Sequence, residues 1–147
     1  MKTKSIYLLC GMLLLVVIFS GCAKEKQIDV KQVQKYADPI TENILLAMDE
    51  DDYAKYSEHF DQSMKNAIPK ASFKETNAAI KAKIGNYTSK SKEIQKAEKD
   101  DQYTVAIYKA KFTGEAKDVM VRVVFSENDG KMYVSGLFLD SPNLRKN

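Results

Sequence analysis

Residues 117–140 read KDVMVRVVFSENDGKMYVSGLFLD, and this stretch decides the fold. Apolar residues alternate on both sides of Asp129-Gly130, a pair that favours a two-residue hairpin turn because both positions tolerate positive φ. Centring the turn there sets Phe125 opposite Val134, Val123 opposite Gly136 and Val121 opposite Phe138. Working backwards, Gly114-Glu115 suits the Gly-first version of the same turn. That centre sets Val119 opposite Ala110, Val121 opposite Tyr108 and Val123 opposite Ala106. Lys111 then falls opposite Asp118. Register fixes which side chains share a face. One face collects Ala106, Tyr108, Ala110, Val119, Val121, Val123, Phe125, Val134, Gly136 and Phe138, without a charge. The other collects Val105, Ile107, Val124, Leu137 and Leu139 among Lys109, Arg122 and Ser135. Four antiparallel strands are expected, at about 87–97, 103–113, 117–126 and 131–140.

Upstream of residue 87 the period changes from two to that of a helix. Val30, Val33, Ala37, Ile40, Ile44 and Ala47 form one stripe that stays in phase through Pro39, which predicts a kinked helix; a fresh helix with Asp38 as its cap is the alternative. The acids at 49–52 do not match a calcium loop, which needs a glycine at its sixth position. They read instead as the start of a second helix that carries Tyr53, Tyr56 and Phe60 and continues through Met64, Ala67 and Ile68 to Pro69. Tyr53 and Tyr56 suit core packing better than a ligand mouth. Ser72-Phe73-Lys74-Glu75 fits a capping box opening a third helix. Phe73, Asn77, Ile80 and Ile84 share its inner face, and Gly85 sits where a C-terminal cap belongs. The fold class is therefore α+β, with three N-terminal helices packed on one face of a curved four-stranded antiparallel sheet.

The N-terminus carries a separate message. Lys2 and Lys4 precede the apolar run 6–19, and Ser20-Gly21-Cys22 follows it. This is the order of a bacterial export signal, and its end resembles the lipobox of lipoproteins, with Phe19 where leucine is preferred. The expected organisation is a signal peptide at 1–21, lipidated Cys22 and tether at 22–28, the α+β domain at 29–140 and a tail at 141–147. The apolar run is shorter than the ~20 residues that span a bilayer core. A diacylglyceryl group on Cys22 would hold the domain on the cell membrane, facing away from the cytoplasm. Cys10 leaves with the signal, so the mature chain has no free thiol, disulfide or cysteine metal ligand.

Chemistry is sparse. Without Lys2 and Lys4 there are 21 basic against 20 acidic side chains, interleaved along the chain, which excludes a nucleic-acid footprint. His59 is the only histidine and reads as a surface residue. No phosphate loop, metal cluster or nucleophile motif occurs, and neither a cofactor nor a metal is expected. The small residues Ala106, Ala110 and Gly136 predict an internal cavity with Tyr108 as its polar lining group, Thr104 being the other polar candidate. The apolar residues Val105, Ile107, Val124, Leu137 and Leu139 predict an association face, since a solvated sheet face normally alternates to polar residues.

The stretches Glu50-Asp51-Asp52-Tyr53, Phe60-Asp61-Gln62-Ser63-Met64-Lys65, Ile84-Gly85, Val121-Arg122-Val123-Val124-Phe125 and Gly136-Leu137-Phe138 resemble a family of small bacterial and archaeal lipoproteins classed as a domain of unknown function. The resemblance covers roughly residues 40–139. That family is similar to the cone-shaped α+β folds of the nuclear-transport-factor-2-like superfamily. It implies a fold and a location but no activity, because that superfamily holds isomerases, dehydratases and binding modules alike. The expected function is a membrane-anchored binding or protein-interaction module. The alternative is an enzyme acting on a small extracytoplasmic substrate in the cone pocket. The expected partners are the membrane, through the diacylglyceryl cysteine, and a second copy of the chain, another protein or a small molecule.

Overall fold

The computed structural model describes residues 28–91 and 93–146. The expected signal peptide and Cys22 lie outside the described residues.

Helix α1 spans Val30–Glu50, with Asp29 as N-cap accepting from the Lys31 amide at 3.0 Å. It runs through Pro39 and buries the expected stripe from Val33 onward (Val33, Ala37, Ile40, Ile44 and Ala47), while Val30, at the first position of the helix, is exposed. A proline removes one donor from the helix ladder, but the burial of this stripe outweighs it. Asp51, at φ 56°, ends the helix.

The expected second helix is two short ones, α2 at Tyr53–Tyr56 and α3 at Gln62–Ala67, capped by Asp52 and Asp61. Between them the chain pauses to pair with the sheet. The Asp61 amide donates to Val134 O at 3.0 Å, and the Val134 amide donates to His59 O at 2.7 Å. This parallel bridge buries Phe60 to 1 % exposure, and a continuous helix could not make it. Helix α4 spans Lys70–Ile84 and starts two residues before the expected capping box. Its N-cap is Pro69, with no side-chain cap bond, so Ser72 and Glu75 lie inside the helix. Gly85, at φ 76°, closes it as expected.

The sheet has five strands rather than four. β1 (Tyr87–Lys90) and β2 (Lys96–Asp100) replace one long edge strand, and both pair antiparallel with β3 (Tyr103–Phe112). β4 (Val119–Asn128) and β5 (Lys131–Asp140) complete the order β1-β3-β4-β5, with β2 also on β3. The β3–β4 register is the one expected: Tyr108 faces Val121, Ala106 faces Val123 and Ala110 faces Val119. Asp129 and Gly130, at φ 51° and 72°, make the β4–β5 turn.

The β4–β5 pairing corrects the expectation. Phe125 faces Val134, but a bulge between Val124 and Phe125 then shifts the register by one residue. Val124 faces Gly136, Val123 faces Leu137 and Val121 faces Leu139. A bulge sets two residues against one, so every side chain beyond it changes face. Leu137 and Leu139 therefore pack against the core, while Phe138 turns out to 55 % exposure under the Arg122 guanidinium. The helices cover the inner sheet face, with Tyr36 edge-on to Phe125 at 5.2 Å.

Candidate functional site

Two polar constellations lie inside this fold, and both begin on α1. The first gathers around Tyr108 on β3. Its ring is fully buried, and its hydroxyl donates to Asp38 Oδ1 at 2.6 Å. One turn further along α1, Glu42 accepts from the Tyr87 hydroxyl at 2.9 Å and faces Lys90 Nζ at 3.8 Å. The Lys90 ammonium lies 5.0 Å from the centre of the Tyr108 ring. Burial, and then the neighbouring carboxylates, push both phenols well above the ordinary tyrosine value. They stay neutral donors, and the cluster fastens α1 to the sheet.

The second constellation joins the end of α1 to α4. The last carbonyls of a helix have no partner within it. Asn77 and Lys81, one turn apart on α4, supply donors from outside. Asn77 Nδ2 donates to Met48 O at 2.7 Å and Lys81 Nζ donates to Asp49 O at 2.8 Å. The same two groups hold the Asp51 carboxylate, Asn77 at 2.6 Å and Lys81 at 2.7 Å. Lys81, more than any other neighbour, draws the Asp51 carboxyl below its ordinary value.

These bonds fix the Asn77 amide. Both hydrogens of its Nδ2 are directed at oxygens, so a flipped amide would set oxygen against oxygen. Its Oδ1 is buried and accepts from no group among the described residues. Asn77 also lines a cavity of about 160 Å³ between α4, the end of α1 and the α2–α3 region. Met48, Tyr56, Phe73 and Ile80 form the apolar wall, and Ala67, Ile68, Ser72 and Thr76 complete the lining. The Tyr56 and Phe73 rings meet at 4.4 Å. No charged side chain belongs to the lining. A wider depression of about 750 Å³ follows the other flank of α4, past Tyr53, Lys70 and Lys74, and shares Phe73.

The sequence-derived site maps onto this only in part. Ala106, Tyr108 and Ala110 do come together, deep in the core cluster beneath α1. Gly136 does not join them. It sits opposite Val124, where an added Cβ would meet Val124 and Phe138 at 3.2 Å. Thr104 is buried, and His59 is a partly exposed residue 3.9 Å from Glu58. Of the expected association face, Leu137 and Leu139 have moved inward and Val105 is buried. Ile107 and Val124 remain partly exposed, joined by Phe138. Asn77 was read only as a member of the inner face of a helix. The available signal was an amide standing in an otherwise apolar stripe, which asks for partners that the stripe itself lacks.

A family model described as "Protein of unknown function (DUF3887)" matches residues 41–137, more than half of the chain. The chain belongs to this family. The matched span runs from α1 into β5 and contains every residue that lines the 160 Å³ cavity. No curated protein matches the chain. Among the described residues, no group of three histidine, cysteine or acidic side chains is placed to hold a metal ion.

Proposed function

We propose that the protein is an extracytoplasmic lipoprotein whose domain, of the cone-shaped nuclear-transport-factor-2-like type, is a binding module with its ligand seat beneath α4. The observation that carries the reading is the half-open pocket of about 160 Å³ beneath α4, walled by Met48, Tyr56, Phe73 and Ile80. The lining holds no nucleophile paired with a base, which favours binding over catalysis. The enzyme alternative would rest on Tyr108 and Asp38, but the Tyr108 hydroxyl is sealed beneath α1 and already bonded.

The membrane attachment rests on the sequence: the basic start, the apolar run and Ser20-Gly21-Cys22. Among the described residues, no helix is long and apolar enough to cross a membrane; the attachment proposed is a lipid on Cys22. Metabolic labelling with a palmitate analogue tests it. The wild type is expected to label and to be processed, and Cys22→Ala to do neither; label on the alanine variant would end the lipoprotein reading. Native mass spectrometry of the chain released from its membrane tests the binding module. A retained small molecule is expected, and it should be lost from an Asn77→Leu variant.

A further inference from the structure

The outer face of the sheet can be written in rows from the strand register. Ile107, Arg122 and Phe138 stand side by side on β3, β4 and β5. On one flank of that row lie Val105, Val124 and Gly136, and on the other Lys109, Met120 and Asp140. The β4 bulge is what turns Phe138 to this side. Gly136 gives the ring a floor, since a Cβ there would meet Phe138 Cε2 and Val124 Cγ2, each at 3.2 Å. The ring stays exposed, and Ile107, Met120 and Val124 near it are half-buried. At the margins Lys96 pairs with Glu98, and Lys111 with Asp118.

A second copy of the chain complements this face. A two-fold axis laid along β4 sets β3 of each copy against β5 of the other. Ile107 then meets the partner's Phe138, Val105 meets the partner's Gly136, and Val124 and Met120 meet their own counterparts. Lys109 meets the partner's Asp140. Asp140 also accepts from Arg145 Nε at 2.7 Å, but a carboxylate has acceptor sites for both. Arg122, the charge on the axis, holds its guanidinium 5.7 Å from the centre of its own Phe138 ring, to the side of the axis. An axis across the strands would instead press Lys109 onto Val105 and Asp140 onto Gly136, burying charges without partners.

Chain direction makes the same choice. Helix α1 starts at the Asp129-Gly130 end of the sheet, where Tyr36 packs on Phe125. It passes Tyr108 at Asp38 and reaches Tyr87, opposite Phe112 at the far end, through Glu42. The chain from Cys22 to Ile28 spans at most about 20 Å, so a lipid on Cys22 keeps the Asp129-Gly130 end near the membrane. An axis parallel to the strands leaves both tethers at that end, on one bilayer. An axis across the strands would send them to opposite ends. The face measures roughly 600 Å² from strand spacing and length, near the lower end for one partner of a specific complex. Such a pair is weak in free solution, and confinement to a membrane plane raises its population by effective concentration.

We propose that the protein pairs with a second copy of itself through the outer sheet face, about a two-fold axis along β4, with Phe138 of each copy against Ile107 of the other and Lys109 opposite Asp140. The choice of axis rests on the reading of Cys22 as the membrane anchor.

Cysteine placement tests this, because Cys22 is the only cysteine left once Cys10 departs with the signal, and its sulfur carries the lipid. Val124→Cys and Met120→Cys lie on the axis, at two separate points in case one substitution disturbs the fold. Ser63→Cys, on the exposed side of α3, is the control. The full chains, in their own membranes, are treated with a bis-maleimide short enough for sheets packed about 10 Å apart. Linked dimer is expected from both axis variants and from neither Ser63→Cys nor the wild type. In the Met120→Cys background, Lys109→Glu sets like charges opposite each other twice per dimer and should lower the yield about fivefold. Adding Asp140→Lys should restore it, which damage to the face alone would not do. No dimer from either axis variant, or as much from Ser63→Cys, overturns the pairing. A yield that Lys109→Glu leaves unchanged, or that Asp140→Lys does not restore, overturns the axis. Palmitate labelling of the same membranes separates the two readings. Label without dimer defeats the pairing and spares the anchor, while dimer without label defeats the anchor and spares the pairing.

Discussion

Tyr108 and Asn77 are both sealed from solvent and both bond to α1, but only one of them is complete. The Tyr108 hydroxyl ends on Asp38, with Lys90, Glu42 and Tyr87 close by in a second paired group. Asn77 satisfies its two hydrogens and leaves its buried oxygen without a donor among the described residues. A satisfied buried network fixes one arrangement of the elements it joins. An unsatisfied one marks the place where the interior is unfinished by its own residues. The contrast teaches that the polar groups nearest the centre of this fold serve architecture, while the candidate ligand seat lies off-centre, beneath α4. α4 contributes only Phe73, Asn77 and Ile84 as buried residues.

Breaking the complete side should cost most. Tyr108→Ala removes a fully buried ring as well as the bond to Asp38, and should lower unfolding stability by roughly 3–5 kcal/mol in a denaturant titration. Tyr108→Phe keeps the ring and should cost only about 1 kcal/mol, because Asp38 retains access to water. On the incomplete side, Asn77→Leu forfeits two bonds but also removes the bare oxygen. A net loss of about 1–2 kcal/mol is expected, smaller than that of Tyr108→Ala.

The two sides should also fail at opposite ends of the pH scale. Burial, and then the neighbouring Asp38 and Glu42 carboxylates, raise Tyr108 and Tyr87 in the joint between α1 and the sheet. The folded state therefore holds phenolic protons that the unfolded chain releases near 10. Stability from these groups is complete below that value and is lost as pH rises toward their raised values. Asp51 behaves in the opposite sense. Its folded value lies below 3.8, so its contribution is present above that pH and disappears as pH falls through the depressed value. Amide hydrogen exchange should accordingly show α4 loosening first in acid, and the joint between α1 and the sheet loosening first in alkali. Simultaneous loss at both joints, in either direction, would show that they are one cooperative unit.

The smallest effect is expected at Phe138. Its ring is 55 % exposed, so Phe138→Ser should change stability by no more than ~0.5 kcal/mol. The same variant sharpens the question of self-association. If the outer face pairs with a second copy, light scattering should show the wild type dimerising and the serine variant doing so less.

Much of the sheet was legible because its turns are chemically explicit. Asp129-Gly130 adopts the two positive φ values its hairpin needs. Gly114 does not take the positive φ of the expected Gly-first turn, and residues 113–118 form a longer loop instead, yet the β3–β4 register around it is the one expected. The Lys111–Asp118 pair forms as that register requires. The β4–β5 bulge was not legible, because residues 121–125 read Val-Arg-Val-Val-Phe and leave an apolar residue available to either face on each side of the shift. The split of the second helix was hidden for a different reason. Phe60 fits a helical stripe, but its pairing with Val134 depends on a strand more than seventy residues away. Pro69 took the cap from Ser72 because a proline cannot donate and sits well before a first turn. The inner surface around Tyr108 was correctly expected to lack charge, but Asp38 reaches it from a helix whose rotation the sequence does not specify. Asn77 was correctly placed on an inner face, yet its bare oxygen depends on where Met48 and Asp51 end up.

The borders of the sheet carry a consequence for life at a surface. On one side the free border of β3 is occupied by two short strands in succession, β1 and β2. On the other, the chain around Phe60 takes up both backbone groups of Val134 in the middle of β5. Unclaimed strand borders are templates on which neighbouring molecules add, strand to strand. Molecules tethered to a membrane share a plane rather than a volume and meet one another often. With one border tiled and the other interrupted at its midpoint, copies of this domain held at such density by the proposed tether would find no long ribbon to extend, which disfavours growth into a fibre.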